Sequence, residues 1–172
     1  LYKGETMPVI IPHDLPATEI LEKEFISVMH EERARTQDIR PLRIGLLNLM
    51  PKKIATETQF MRLIGNTPLQ IEIDLIMPTN HESKNTSHDH LLKFYKPFKD
   101  VKNSHYDGFI VTGAPVEMLD FEEVDYWEEL CEVFDFCNTN VYSSFFICWA
   151  SQAAMYYYYD IKKHILPEKL FG

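Results

Sequence analysis

The sequence predicts an α/β fold in which helices pack on a parallel sheet, and three observations carry that prediction. Short, nearly continuous apolar runs alternate with stretches of helical periodicity. The runs are rich in Leu, Ile, Val and Phe, as expected of strands buried on both faces. Turn-forming residues cluster between them, at Gly65–Pro68, Pro78–Asn80 and Gly113–Pro115.

Leu42–Met50 (LRIGLLNLM) is the first buried run and predicts a strand. Thr56–Ile64 follows with Phe60, Leu63 and Ile64 on one predicted helical face. Leu69–Met77 reads as a second strand. The polar stretch His81–His90 leads into a short amphipathic helix around Leu91–Tyr95. Gly108–Thr112 (GFIVT) is a third buried strand. Glu122–Phe136 is a helix that turns Trp127, Leu130, Val133 and Phe134 inward. Phe145–Cys148 is a last strand and Ala150–Tyr159 a last helix. There is no internal repeat and no low-complexity linker, and 172 residues suit one domain with a sizeable core.

Composition narrows the function. The formal net charge of -9 argues against a nucleic-acid partner, which requires a cationic surface. No run of about 18 apolar residues predicts a membrane span. The opening LYKGETMPVIIP has no apolar h-region, so no signal peptide is expected. Cys131, Cys137 and Cys148 form no CxxC pair and suggest no disulfide framework, which points to a reducing, cytoplasmic compartment.

In parallel α/β sheets ligands bind at the carboxyl ends of the strands. Three ends are therefore candidates: Met50–Lys53, Thr112–Glu117 and Cys148–Ala150. Cys148 stands where a buried run meets a helix opened by Trp149 and Ala150. A thiol there meets the positive end of the helix macrodipole, which stabilises negative charge on sulfur. A sharp strand-to-helix turn would also expose it above the sheet as a nucleophile. Phe146 is bulky for the tightest such turns, and a merely buried cysteine is the competing reading. For Cys131 and Cys137, within or at the end of a helical segment, burial is the favoured reading.

Gly113 lets the backbone approach a ligand closely. The amides of Gly113 and Ala114, with that of Trp149, could form an oxyanion hole, or the segment is an ordinary strand-end turn. Lys52 and Lys53 could hold an anion, or form a solvated turn. His81, His88 and His90 lack a recognised metal-ligand spacing, so no metal is expected. The Tyr156–Tyr159 run reads as core and interface.

Taken together, IRPLRIGLLNLMPKKIATETQFMRLIGNTPLQIEIDLI, the stretch with HESKNT, YDGFIVTGAPVE and FFICWASQAA resemble the homoserine O-acyltransferase family, in that family's own order, from about Met7 to Gly172. Leu1–Thr6 precede the methionine at which such chains begin and read as an extension or expression remnant. The resemblance implies a flavodoxin-like three-layer sandwich similar to class I glutamine amidotransferases. It implies that Cys148 carries the acyl group, that Lys53 lies near the oxyanion, and that Lys169, in PEKLFG, contacts substrate. Glu117, in GAPVE, matches the position that separates acyl donors, glycine in succinyl-CoA users and glutamate in acetyl-CoA users. A carboxylate there would repel a succinyl group, so acetyl-CoA is the expected co-substrate. The implied partners are L-homoserine and an acyl-CoA, with no bound cofactor, in a homodimer serving methionine biosynthesis.

The family completes its site with a histidine base and an orienting glutamate from the second half of a longer chain. No histidine here matches, His164 included, so residues 7–172 are expected to be a single α/β domain cut before its C-terminal part, inactive alone. Asp160 and Lys162 also stand where relatives often carry Gly and Pro, which bears on the local turn. Two rivals remain: an amidotransferase-like cysteine hydrolase, which would release ammonia from glutamine, and a non-catalytic α/β module.

Overall fold

The computed structural model describes residues 9–12, 14–26, 28–29, 40–67, 69–80 and 86–168. Lys169, His81 and the segment 1–6 lie outside the described residues. The strands are β1 (Val9–Ile10), β2 (Val28–Met29), β3 (Leu42–Leu47), β4 (Ile71–Met77), β5 (Tyr95–Pro97), β6 (Tyr106–Val111) and β7 (Val141–Phe146). The helices are α1 (Pro16–Lys23), α2 (Lys53–Gly65), α3 (His88–Phe94), α4 (Phe98–Val101), α5 (Trp127–Asn140) and α6 (Trp149–Tyr159), with a 3-10 turn at Phe121–Glu123.

All pairings in the sheet are parallel. The order is β2-β1-β4-β3-β6-β7, and β5 pairs with β4 off this path. The outer edge of β4 is shared: β1 pairs with its first residues and β5 with its last. After β3 the chain moves to β4 on one side and later returns to β6 on the other. The carboxyl ends of β3 and β6 therefore flank the switch point where α/β sheets bind ligands.

Alternation along the strands divides the core into two layers. Leu46, Ile71, Ile73 and Leu75 pack beneath α1, α2 and α3. Leu47, Phe109 and Val111 pack beneath α4, α5 and α6. Helices thus pack on both faces of the sheet, as the sequence predicted, although one face is left open near β6 and β7. Gly45 allows the tightest contact inside it, since a Cβ there would lie 2.4 Å from the Phe109 ring.

Several expected boundaries shift. α2 starts three residues earlier than expected, at Lys53, and of the three residues expected to face inward, Phe60 and Ile64 pack half-buried against the core while Leu63 does not. Lys53, Thr56, Glu57, Thr58, Met61 and Gly65 are buried, whereas Leu63 is 73% exposed. The first turns of α2 bury charged residues at a strand end, a face that hydrophobic periodicity does not mark. Leu63 instead lines a groove with Gly108, Ser143 and Phe145 on a sheet face that the described helices leave open. In the tyrosine run, Tyr156, Tyr157 and Tyr158 are half-buried as expected, but Tyr159 is exposed. At the end of α6, Asp160 adopts the left-handed conformation (φ 54°, ψ 30°) and its N–H closes on the Tyr156 carbonyl. Aspartate tolerates that conformation, so the turn forms without a glycine.

A buried carboxylate joins four strands. Asp74 of β4 accepts from Lys96 of β5 at 2.6 Å, Tyr106 of β6 at 2.8 Å and Arg43 of β3 at 2.9 Å. Burial opposes its ionisation, but these three bonds outweigh burial and hold its pKa below the usual carboxylate value. Such a group stabilises the fold fully above its unfolded pKa of about 4, and the contribution drains away as pH falls through the depressed folded value. Asp74→Asn is therefore expected to lower Tm at neutral pH and to flatten the loss of Tm below about pH 4. Parallel acid limbs in both proteins, followed by circular dichroism, would refute this role.

Candidate functional site

Cys148 caps α6 from the strand side. Its backbone has φ 54° and ψ -118°, the geometry of the first central residue of a type II′ turn. The turn closes through Ala150 N–H to the Ile147 carbonyl at 3.1 Å. A non-glycine residue in that conformation costs about 1–3 kcal/mol and persists only where its surroundings hold it. Here they do: Ile147 N–H bonds to the Val111 carbonyl at 3.0 Å, and Trp149 and Ala150 beyond the turn are buried. Cys148 is exposed, against the buried reading. Phe146 does not obstruct the turn, because it packs on Phe134 of α5 and Tyr158 of α6.

Gly113 presses against this turn. A Cβ at Gly113 would lie 3.1 Å from Cys148 Cβ and 3.7 Å from its Sγ. The loop is held by Thr112, whose Oγ1 accepts from Leu49 N–H at 2.8 Å and donates to the Gly113 carbonyl at 3.1 Å. That threonine also stitches the end of β6 to the end of β3. The amides of Gly113, Ala114 and Trp149 donate to no acceptor among the described residues. Gly113 and Ala114 follow β6 and Trp149 follows Cys148, so these three N–H groups stand at the carboxyl ends of the neighbouring strands β6 and β7.

Lys53, the first residue of α2, is 2% exposed, so the solvated-turn reading does not describe it. Its ammonium donates to the Asn48 carbonyl and lies 5.6 Å from the centre of the Tyr95 ring. It makes no hydrogen bond to Cys148. Burial pulls its pKa down to about 8, and the charge of Glu57 opposes that shift. Lys52, beside it, is exposed and lines an open groove of about 540 Å³ along α2 with Ile54, Thr58 and Thr86.

A polar cluster that sequence reasoning missed lies behind Lys53. Glu57 is fully buried, and its Oε1 accepts from the Tyr95 hydroxyl at 2.8 Å and contacts His90 Nε2 at 2.9 Å. The same hydroxyl accepts from Asn48 Nδ2 at 2.8 Å. Lys53 and Glu57 are four apart, a spacing that in sequence reads as a solvated ion pair on a helix. Only burial distinguishes the two.

The other candidates separate from this edge. Glu117 is exposed on the loop leading from Gly113, whose backbone Lys163 braces by donating to the Glu117 carbonyl at 2.9 Å. Cys137 is buried and Cys131 half-buried, and burial pushes both thiols up to about 11. His90 faces Glu57, His88 is exposed, and no group of three metal-ligating side chains occurs among the described residues. No helix among them is long and apolar enough to cross a membrane.

Comparison with known proteins identifies relatives of this chain. The family model described as homoserine O-succinyltransferase matches residues 8–172. A homoserine O-acetyltransferase of Catenibacterium mitsuokai is 60% identical over 166 residues, covering 96% of this chain and 53% of the relative. That of Clostridium tetani is 60% identical, over 96% of this chain and 54% of the relative. That of Rhizorhabdus wittichii is 57% identical, over 96% and 52%. The chain spans about half the length of these curated relatives.

Proposed function

This chain belongs to the homoserine O-succinyltransferase family, and we propose that the protein it forms transfers an acetyl group from acetyl-CoA to the hydroxyl of L-homoserine. The observation that carries the reading is the strained, exposed Cys148 at the head of α6, against which Gly113 packs closely. An acyl-enzyme mechanism needs a nucleophile held in place and donors for the negative charge that develops. An exposed cysteine in a fixed turn, with amides unpaired among the described residues on its own and the neighbouring strand end, supports that reading.

In the first half-reaction Cys148 Sγ attacks the thioester carbonyl, and the tetrahedral oxyanion is held by the three amides with the Lys53 ammonium nearby. The carbon–sulfur bond to CoA breaks and CoA leaves. In the second, the homoserine hydroxyl attacks the acyl-cysteine while a base removes its proton. The new ester forms and the thiolate of Cys148 returns. By the resemblance, the base and its orienting carboxylate are a histidine and a glutamate in the half of family chains not covered here, and Lys169 contacts substrate. Glu117 favours the acetyl over the succinyl donor, a choice supported by the acetyltransferase names of the relatives. The reading extends to a homodimer in the cytoplasm serving methionine biosynthesis, supported by family resemblance and by three cysteines that are all free.

The test is intact mass spectrometry of the full-length protein with acetyl-CoA or succinyl-CoA and no acceptor. An acetyl adduct that disappears in Cys148→Ser is expected. A succinyl adduct would overturn the donor assignment. Absence of any adduct would remove the covalent mechanism and favour a non-catalytic module.

A further inference from the structure

Lys53 occupies an unfavourable place for a cation. It is buried, and it stands at the first residue of a helix, where the macrodipole is positive. Glu57 is equally costly. Its Oε1 is satisfied by Tyr95 and His90, but its Oε2 is buried with no hydrogen-bond partner among the described residues. A carboxylate left so would be strongly destabilising without a nearby positive charge. One turn earlier on the same helix face stands Lys53. No ion pair within 4.0 Å joins them, so the two charges interact across a gap, and the ammonium stays turned to the Asn48 carbonyl at the end of β3. The groups facing this corner are Glu57 on α2 itself, Tyr95 on β5, His90 on α3 and the Asn48 carbonyl, with exposed Lys52 just before.

We propose that Glu57, clamped by Tyr95 and His90, is a positioning residue that keeps the Lys53 ammonium charged and fixed beneath the strand ends. The inference rests on the reading of Lys53 as the side chain near the oxyanion. It explains why α2 buries a polar face that a structural helix would fill with apolar residues. It also explains a cross-sheet link: Asn48, whose carbonyl holds Lys53, donates its side-chain amide to the hydroxyl that holds Glu57.

The experiment follows the pH dependence of kcat/KM for acyl transfer in the full-length protein, with Lys53 observed directly by 13C NMR of its Cε. In the wild type, activity should fall on the alkaline side near the Lys53 value of about 8. In Glu57→Gln, both that limb and the Lys53 midpoint should move down by about one pH unit, because a stabilising opposite charge has gone. Glu57→Asp should retain most of the wild-type position. A midpoint that does not move in Glu57→Gln overturns the proposal while leaving the Lys53 reading intact. Lys53→Met with unchanged rate and unchanged alkaline limb overturns the Lys53 reading itself, and the proposal with it. Should Glu57→Gln fail to fold, the wild type suffices: Glu57 Cδ should show a step at the Lys53 midpoint, and its absence overturns the proposal.

Discussion

Cys148→Ala in the full-length protein is expected to lower kcat/KM for acyl transfer by at least about 10,000-fold, with kcat falling as far and KM little changed. The proposed reaction consists of two half-reactions joined by one thioester, so removing the sulfur removes both. What would survive is rate enhancement by binding and by the amides of Gly113, Ala114 and Trp149, which stay in place because the backbone turn does not depend on the thiol. Stopped-flow or discontinuous assays of acetyl-CoA consumption measure it. A loss of tenfold or less would show that Cys148 is not the acyl carrier.

The same position makes a second, opposite demand on stability. With φ 54° and ψ -118°, Cys148 holds a conformation that glycine enters freely and alanine does not. Cys148→Gly should therefore be as inactive as Cys148→Ala yet more stable than it by about 1 kcal/mol, after allowing for glycine's larger unfolded-state entropy. Urea denaturation of the pair reads the difference. Equal stabilities would mean that the turn relaxes when the sulfur goes. A strained residue that is worth more to activity than to stability is what a nucleophile position should look like.

Much of this was legible in the sequence because burial on both faces leaves a plain signal. The runs at Leu42, Leu69 and Gly108 mark the three central strands, and Lys53, Gly113 and Cys148 lie just past the carboxyl ends of β3, β6 and β7, which are neighbours in the parallel sheet. What was not legible has physical causes. β1 and β2 span two residues each and β5 three, too short for any periodicity. On α2, Phe60 and Ile64 face the core as expected, but the buried Lys53 and Glu57 were not foreseen, because hydrophobic periodicity cannot reveal a buried polar face. His90 invited a metal reading, and its partner is a carboxylate 33 residues earlier in the chain, a contact that only the packing of α3 against α2 creates.

Gly113 gives the second large effect, and its case rests on space alone. Its backbone has no positive φ, so alanine or valine there meets no conformational penalty. The obstacle is the 3.1 Å between a Cβ and Cys148 Cβ, tighter than ordinary contact by a few tenths of an ångström. Alanine must therefore push the cysteine turn or the 113–114 loop aside, and valine's added methyls crowd the sulfur that a Cβ already approaches at 3.7 Å. The amides of Gly113 and Ala114 belong to one strand end and that of Trp149 to the next, so any such shift separates the donors from one another and from the nucleophile. Donor geometry of this kind is worth about 100-fold or more in rate. Gly113→Val is thus expected to reduce kcat by about 100-fold or more at a stability cost of only about 1–2 kcal/mol, and Gly113→Ala to fall between it and the wild type. The rate of adduct formation in the mass spectrometer should drop in parallel, because the first half-reaction already needs the oxyanion donors. If Gly113→Val forms the acyl-enzyme at the wild-type rate, this loop is an ordinary strand-end turn and the oxyanion is held elsewhere.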